Sequence, residues 1–178
     1  ASGDRWRTPN KTQGASSFQW IGTDVIEYQR HYELKNTPNS TNAWHRLIRA
    51  IDALNNTPAA QRSTVLDGYF AVDSWLWFLV LENLFVEDDS YWHKGADYSF
   101  YYEPESGRIH PLQHDGNEAF VSSFSELSPV HGESDANRPL LKQLLSVPEW
   151  RQRYLAHMRT VLDESFNPEV LTPWIDRL

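Results

Sequence analysis

Seven histidines and 24 acidic residues carry most of the metal and acid–base chemistry open to this chain, which contains no cysteine. Without thiolates, imidazole is the only strong soft-to-borderline metal donor, and the single Met is a poor substitute. His114 is followed directly by Asp115, whose carboxylate can accept an imidazole N–H and so fix the tautomer and ring direction. Trp92-His93 sits in an acidic stretch with Asp88 and Asp89, and His110 lies on a predicted hairpin, four residues before His114. Trp44-His45 lies at the start of a predicted helix, where periodicity alone puts Trp44 in the core stripe and His45 in solvent. Taken singly, such loop and strand-edge histidines are more often ordinary hydrogen-bonding groups than ligands. His157, between Tyr154 and Val161, reads as a packing residue, and His31 and His131 carry no signal. Asp88, Asp89 and Asp97 offer the hard oxygens that Ca²⁺ takes, but the Asp-x-Asp-x-Asp-Gly loop pattern is absent. No Ser-His-Asp order, glycine-rich phosphate loop or His-Glu-x-x-His element occurs.

Composition narrows the class. The 178 residues suit one domain, and 40% hydrophobic content is enough for a sizeable core. Lys and Arg number 16 against 24 Asp and Glu, a formal charge of −8 with no basic block. That balance argues against a nucleic-acid groove or an anionic-membrane patch and for cations as partners. The longest apolar run, Trp75 to Leu81, is far too short for a transmembrane segment. Absence of Cys excludes disulfides; the start Ala1-Ser2-Gly3 without Met fits a recombinant fragment as well as a processed mature chain, and an exported protein whose signal peptide has been removed is the expectation.

The elements that would position these residues are mostly helical. Residues 1–39 are polar and turn-rich, with Gly14, Gly22 and Pro38, and read as an irregular arm packed on a domain at 40–178. Ser40 or Thr41 caps a helix whose stripe is Trp44, Leu47, Ile48, Ile51 and Leu54. Thr57-Pro58 opens a short helix, and Asp73 caps one over Trp75 to Val86 that is apolar on nearly every side. A β-hairpin near 98–113 turns at Pro104-Glu105-Ser106-Gly107. A long irregular stretch follows, from Gly116 to Asn137. Ser146-Val147-Pro148-Glu149 reads as a capping box before a long helix, and Asn167-Pro168 caps a last one. The fold class is mainly α with one hairpin, an α+β arrangement.

The order Asp73-Ser74-Trp75, Glu82-Asn83, Asp89-Ser90, then the hairpin Tyr101 to Arg108 and Leu112-Gln113-His114-Asp115-Gly116-Asn117-Glu118-Ala119-Phe120, resembles the CotH kinase-like family. So does the tail from Tyr154 to Leu171. The resemblance spans roughly residues 40–178 and implies a truncated atypical-kinase lobe of the C-terminal type. Its metal loops fall on Asp89, Asp115 and Asn117, with Mg²⁺ or Ca²⁺ as the implied ion. A neutral Asn117 stands where the family has a second carboxylate, which weakens Mg²⁺ binding. Only about 40 irregular residues precede the first helix, so the nucleotide-covering lobe and its Lys are expected to be missing and the chain to be no enzyme.

A lobe of this kind is also similar to the MopE and CorA group of surface copper-binding proteins from methane-oxidising bacteria. That group uses two His and a Trp oxidised to kynurenine. Trp44-His45 and His114, about seventy residues later, fit the pattern, although the group has one residue between its Trp and His. This resemblance implies one copper per chain, as Cu(I), on His45, His114 and oxidised Trp44, with Asp115 behind His114. Trp92, His93 and His110 form the alternative set. The expected role is copper acquisition at the cell surface or outside it, with a surface or outer-membrane copper-handling protein as partner.

Overall fold

β1 (Asp4–Arg7) is a strand that its composition hides, because three of its four residues are charged. It forms because both backbone edges are paired. Trp6 stands opposite Leu34 of β2 (Glu33–Leu34) and opposite Phe100 of β3 (Ser99–Glu103). β3 turns back into β4 (Arg108–Leu112), completing an antiparallel sheet ordered β2-β1-β3-β4. The turn needs Gly107 at φ +72°, where its N–H donates to the Glu103 carbonyl at 2.9 Å. Trp6 is fully buried and stacks on Phe100 at 5.3 Å. Two of the strand's charges are ion-paired, Asp4 with Arg46, with a further bond from Thr37, and Arg7 with Asp97 at 3.2 Å.

The computed structural model describes residues 3–9, 16–37, 40–124 and 126–177. Among them the helices are α1 (Val25–Gln29), α2 (Thr41–Asn56), α3 (Arg62–Asp67), α4 (Val72–Leu84), α5 (Pro139–Leu145), α6 (Pro148–Glu164) and α7 (Pro168–Ile175). The α+β class expected from the sequence is what the chain adopts. The N-terminal stretch is not wholly irregular, since it supplies β1, α1 and β2. Ala1, Ser2, Gly14 and Pro38 of that stretch lie outside the described residues.

Helix starts follow the expected chemistry in part. The Ser40 hydroxyl accepts the Ala43 N–H at 3.2 Å, and the Asn167 side chain accepts that of Val170 at 3.0 Å. Thr57 ends α2 instead of opening the next helix, and a 3-10 turn at Ala59–Gln61 follows Pro58. Asp73 does not cap α4, which begins one residue earlier; its carboxylate meets His157 Nε2 at 2.9 Å. The capping box before α6 is not formed, because the Ser146 hydroxyl donates to the Gln143 carbonyl at 2.7 Å.

α4 crosses the middle of the molecule, packed on α6 and β4, while α5 links α2, α4 and α6. Its Trp75 is fully buried, donates its indole N–H to Ile109 O at 2.8 Å, and meets Phe18, Phe70, Phe78 and Tyr98 edge-on. Trp75 thus buries its ring with the polar tip satisfied, whereas the buried indole N–H groups of Trp6, Trp44 and Trp92 have no partner among the described residues. No helix among the described residues is long and apolar enough to cross a membrane.

Candidate functional site

Two acidic segments emerge side by side from this core. The first, 87–97, begins where α4 is stopped by Val86 at φ +51°. It is pinned at three points. Tyr91 receives the Leu140 N–H on its hydroxyl (2.8 Å) and donates to Ser17 O (3.1 Å). Arg138, buried at the start of α5, donates to the carbonyls of Trp92 (2.9 Å) and His93. At the far end the Asp97 N–H donates to Thr8 O at 2.9 Å, and the Thr8 hydroxyl receives the Tyr98 N–H.

The second segment, 113–120, leaves β4 and doubles back along the first. The Asp88 N–H donates to Glu118 O at 3.1 Å, and the Phe120 N–H to Phe85 O at 2.7 Å. Gly116 faces Glu87, whose Oε2 would lie 3.8 Å from a Cβ added there. Asp115 adopts φ +51°, a region that Asp and Asn tolerate better than most residues. Asp115, Asn117 and Glu118 are exposed.

The electrostatics follow from this convergence. Burial pushes the Glu82 carboxyl up to about 8, partly offset by the Tyr91 N–H it accepts at 2.9 Å and reinforced by Glu87. Burial likewise raises Glu87; the Asp89 and Glu118 N–H groups oppose that rise, and the carboxylates of the same two residues add to it. Lys94 is ion-paired with Asp89, which holds its ammonium above the usual range. His93 Nδ1 meets both the carboxylate and the carbonyl of Asp88. His114 Nδ1 stands 3.8 Å from Asp97, not beside a bonded Asp115. His110 reaches Glu103 across the hairpin at 3.5 Å. Beside the loops, α4 and residues 111–120 enclose a cavity of about 690 Å³ walled by Trp77, Phe78, Leu81, Phe85 and Phe120, with Glu82 and Glu87 also lining it.

The expected ligand residues therefore fall into two groups. The loops carrying Asp89, Asp115 and Asn117 are joined directly, with His93, Trp92 and His114 on or beside them. Trp44 and His45 lie elsewhere, on α2, with Trp44 buried in the core and His45 exposed. No hydrogen bond, ion pair or ring contact among the described residues joins either to His114. The next residue, Arg46, ties α2 to Asp4, whereas His114 lies near Asp97, the partner of Arg7 at the other end of β1. Trp92 is buried against Phe124 and His131. His157 stacks on Trp77 at 4.0 Å and is a packing residue, as its position on α6 suggested.

No group of three or more His, Asp or Glu among the described residues is arranged to hold a metal by itself. The donor set on the two loops is nonetheless oxygen-rich, and Glu87 Oε1 is buried without a hydrogen bond. Such donors fit a hard cation that takes one or two carboxylates and completes its shell with phosphate oxygens and water. They fit copper less well, which favours imidazole. Arg138 and the role of Glu82 escape sequence reasoning. The one legible sign was a lone carboxylate inside the apolar run of α4, a position that demands a partner.

A helical lobe whose small sheet and central helix present two joined acidic loops is the class that fold and site define. The chain belongs to the CotH family: the model described as CotH kinase protein matches residues 9–178. The match takes in most of the N-terminal stretch, so β2 and α1 lie within the same family unit as the helices. No curated protein matches the chain.

Proposed function

We propose that the chain is a non-catalytic CotH-type module that binds a divalent cation together with nucleotide phosphates at the 87–97 and 113–118 loops. The observation that carries this reading is the direct bond between the loops, Asp88 N–H to Glu118 O at 3.1 Å, which brings the Asp89 segment against the Asp115–Asn117 segment. Asp89, Asp115 and Asn117 would hold the cation, which supplies charge neutralisation for the phosphates. The aromatic cavity alongside, within the usual size range for ligand pockets, offers a planar base an apolar wall.

Thermal unfolding with Mg²⁺ alone, ATP alone and both together tests this. At about a hundred times Kd a ligand adds about 2.7 kcal/mol, which for this size raises Tm by about 5–10 °C. The rise is expected only with cation and nucleotide together. Asp115→Asn, which keeps the left-handed backbone and removes the charge, abolishes most of it and leaves the unliganded Tm unchanged. Absence of any nucleotide-dependent rise with Mg²⁺ or Ca²⁺ rejects the reading. Copper retained through dialysis by protein from its native host, and lost in His114→Ala, would support the copper-handling role instead.

A further inference from the structure

Near the β3–β4 turn, away from the end of β4 where the second acidic segment begins, arginines line a small pocket. It measures about 100 Å³ and lies between α2, the turn after α3 and the β3–β4 hairpin, lined by Arg46, Arg49, Gly68, Tyr69, Tyr102 and Gly107. Its arginines differ. Arg46 gives Nε (2.9 Å) and Nη2 to Asp4, leaving Nη1, and its guanidinium lies 5.0 Å over the Tyr102 ring. Arg108, on the flank, is paired with Asp67 at 2.8 Å. Arg49 has no hydrogen bond or ion pair among the described residues, in a chain of net charge −8. Three separate elements thus converge on an unneutralised guanidinium, a second one with donor capacity left, and two phenolic rings.

We propose that this pocket is a binding site for a compact oxyanion, the phosphate of a phosphomonoester or free phosphate. The polar lining side chains are guanidinium and phenol groups, beside the apolar Ala50 and Ile109 and with no carboxylate; that favours a ligand rich in acceptors, and Arg forks match phosphate oxygens in pairs. Since a water molecule occupies about 30 Å³ of liquid, the space suits a group of a few heavy atoms such as a single phosphate. Gly107 stands at the rim, where a Cβ would meet only the Tyr102 hydroxyl, at 3.9 Å.

The test is a titration at constant ionic strength with inorganic phosphate and with phenyl phosphate, read from the amide resonances of Gly68 and Gly107. Saturable shifts with a Kd of about 1 mM or tighter are expected for at least one of them. Tighter binding of phenyl phosphate identifies a phosphomonoester on a larger molecule, and equal binding identifies the free anion; both support the site. Arg49→Gln should weaken binding at least about tenfold with an unchanged Tm, because a charge-assisted bond is lost. Arg159→Gln, the same charge change on α6, should leave it unaltered. No saturation by either ligand up to about ten times that concentration, or equal weakening in Arg159→Gln, overturns the proposal.

Discussion

Replacing Arg138 by Leu is expected to lower stability by about 3–5 kcal/mol, the scale for breaking a buried charged network. Arg138 is 7% exposed and has no carboxylate partner among the described residues; its guanidinium is solvated by carbonyls of Trp92, His93 and Asn137. Two of those carbonyls belong to the 87–97 loop, so removing the fork leaves that loop with unpaired buried acceptors. Hydrogen bonds to charged groups are worth about 1.5–3 kcal/mol each, and their loss is not offset by the apolar replacement. Arg138→Lys keeps the charge but not the planar fork, and is expected to fall about midway. Urea unfolding of the three proteins measures the series. Amide exchange over residues 88–97 should accelerate in Arg138→Leu well beyond that over α2. A loss below about 1 kcal/mol would mean that the loop is held by Tyr91 and Thr8 without the arginine.

That arginine was invisible to sequence reasoning because its partners are backbone carbonyls some forty-five residues away, which leave no pattern of residue types. Where the physics is local, the sequence was legible. The α2 stripe places Trp44 inward and His45 outward, as the structure has them, and Ser40 and Asn167 cap their helices. The same stripe argues against Trp44 and His45 serving one ion, a geometry that only a family spacing had suggested. Where the physics is non-local, the reading fell short. β1 is a strand because β2 and β3 pair both its edges and Arg46 and Asp97 neutralise two of its three charges, none of which is written in Asp-Arg-Trp-Arg. α5 is short and apolar on most sides, a run that periodicity cannot assign. Ser146 was drawn from its capping role by the Gln143 carbonyl, a competition typical of hydroxyl side chains. The acidic loops were each visible, but the contact between them was implied only by resemblance to the family, because nothing in their separate compositions encodes it.

Stability should fall as pH rises through neutrality, with Glu82 as the main cause. Its side chain is buried, 4% exposed, and burial moves its pKa from 4.5 to about 8. Below about 4.5 the group is protonated in both folded and unfolded chains and contributes no pH dependence. Between there and about 8 the unfolded chain releases a proton that the folded chain retains, so each unit of pH costs about 1.4 kcal/mol. Above about 8 both states are ionised and the loss levels off. Glu87, also raised by burial, adds in the same direction. From about pH 5.5 to about pH 7.5 the expected loss is about 2–3 kcal/mol, measurable by urea unfolding at matched ionic strength. Glu82→Gln keeps the shape and an acceptor oxygen for the Tyr91 N–H but cannot ionise, so it should flatten most of the slope and be the more stable protein at the upper end. Glu82→Ala leaves that N–H without its partner and opens a void, and should be destabilised by about 2–4 kcal/mol at both ends. A wild-type slope that survives intact in Glu82→Gln would assign the titration to other groups and leave Glu82 ionised inside the fold.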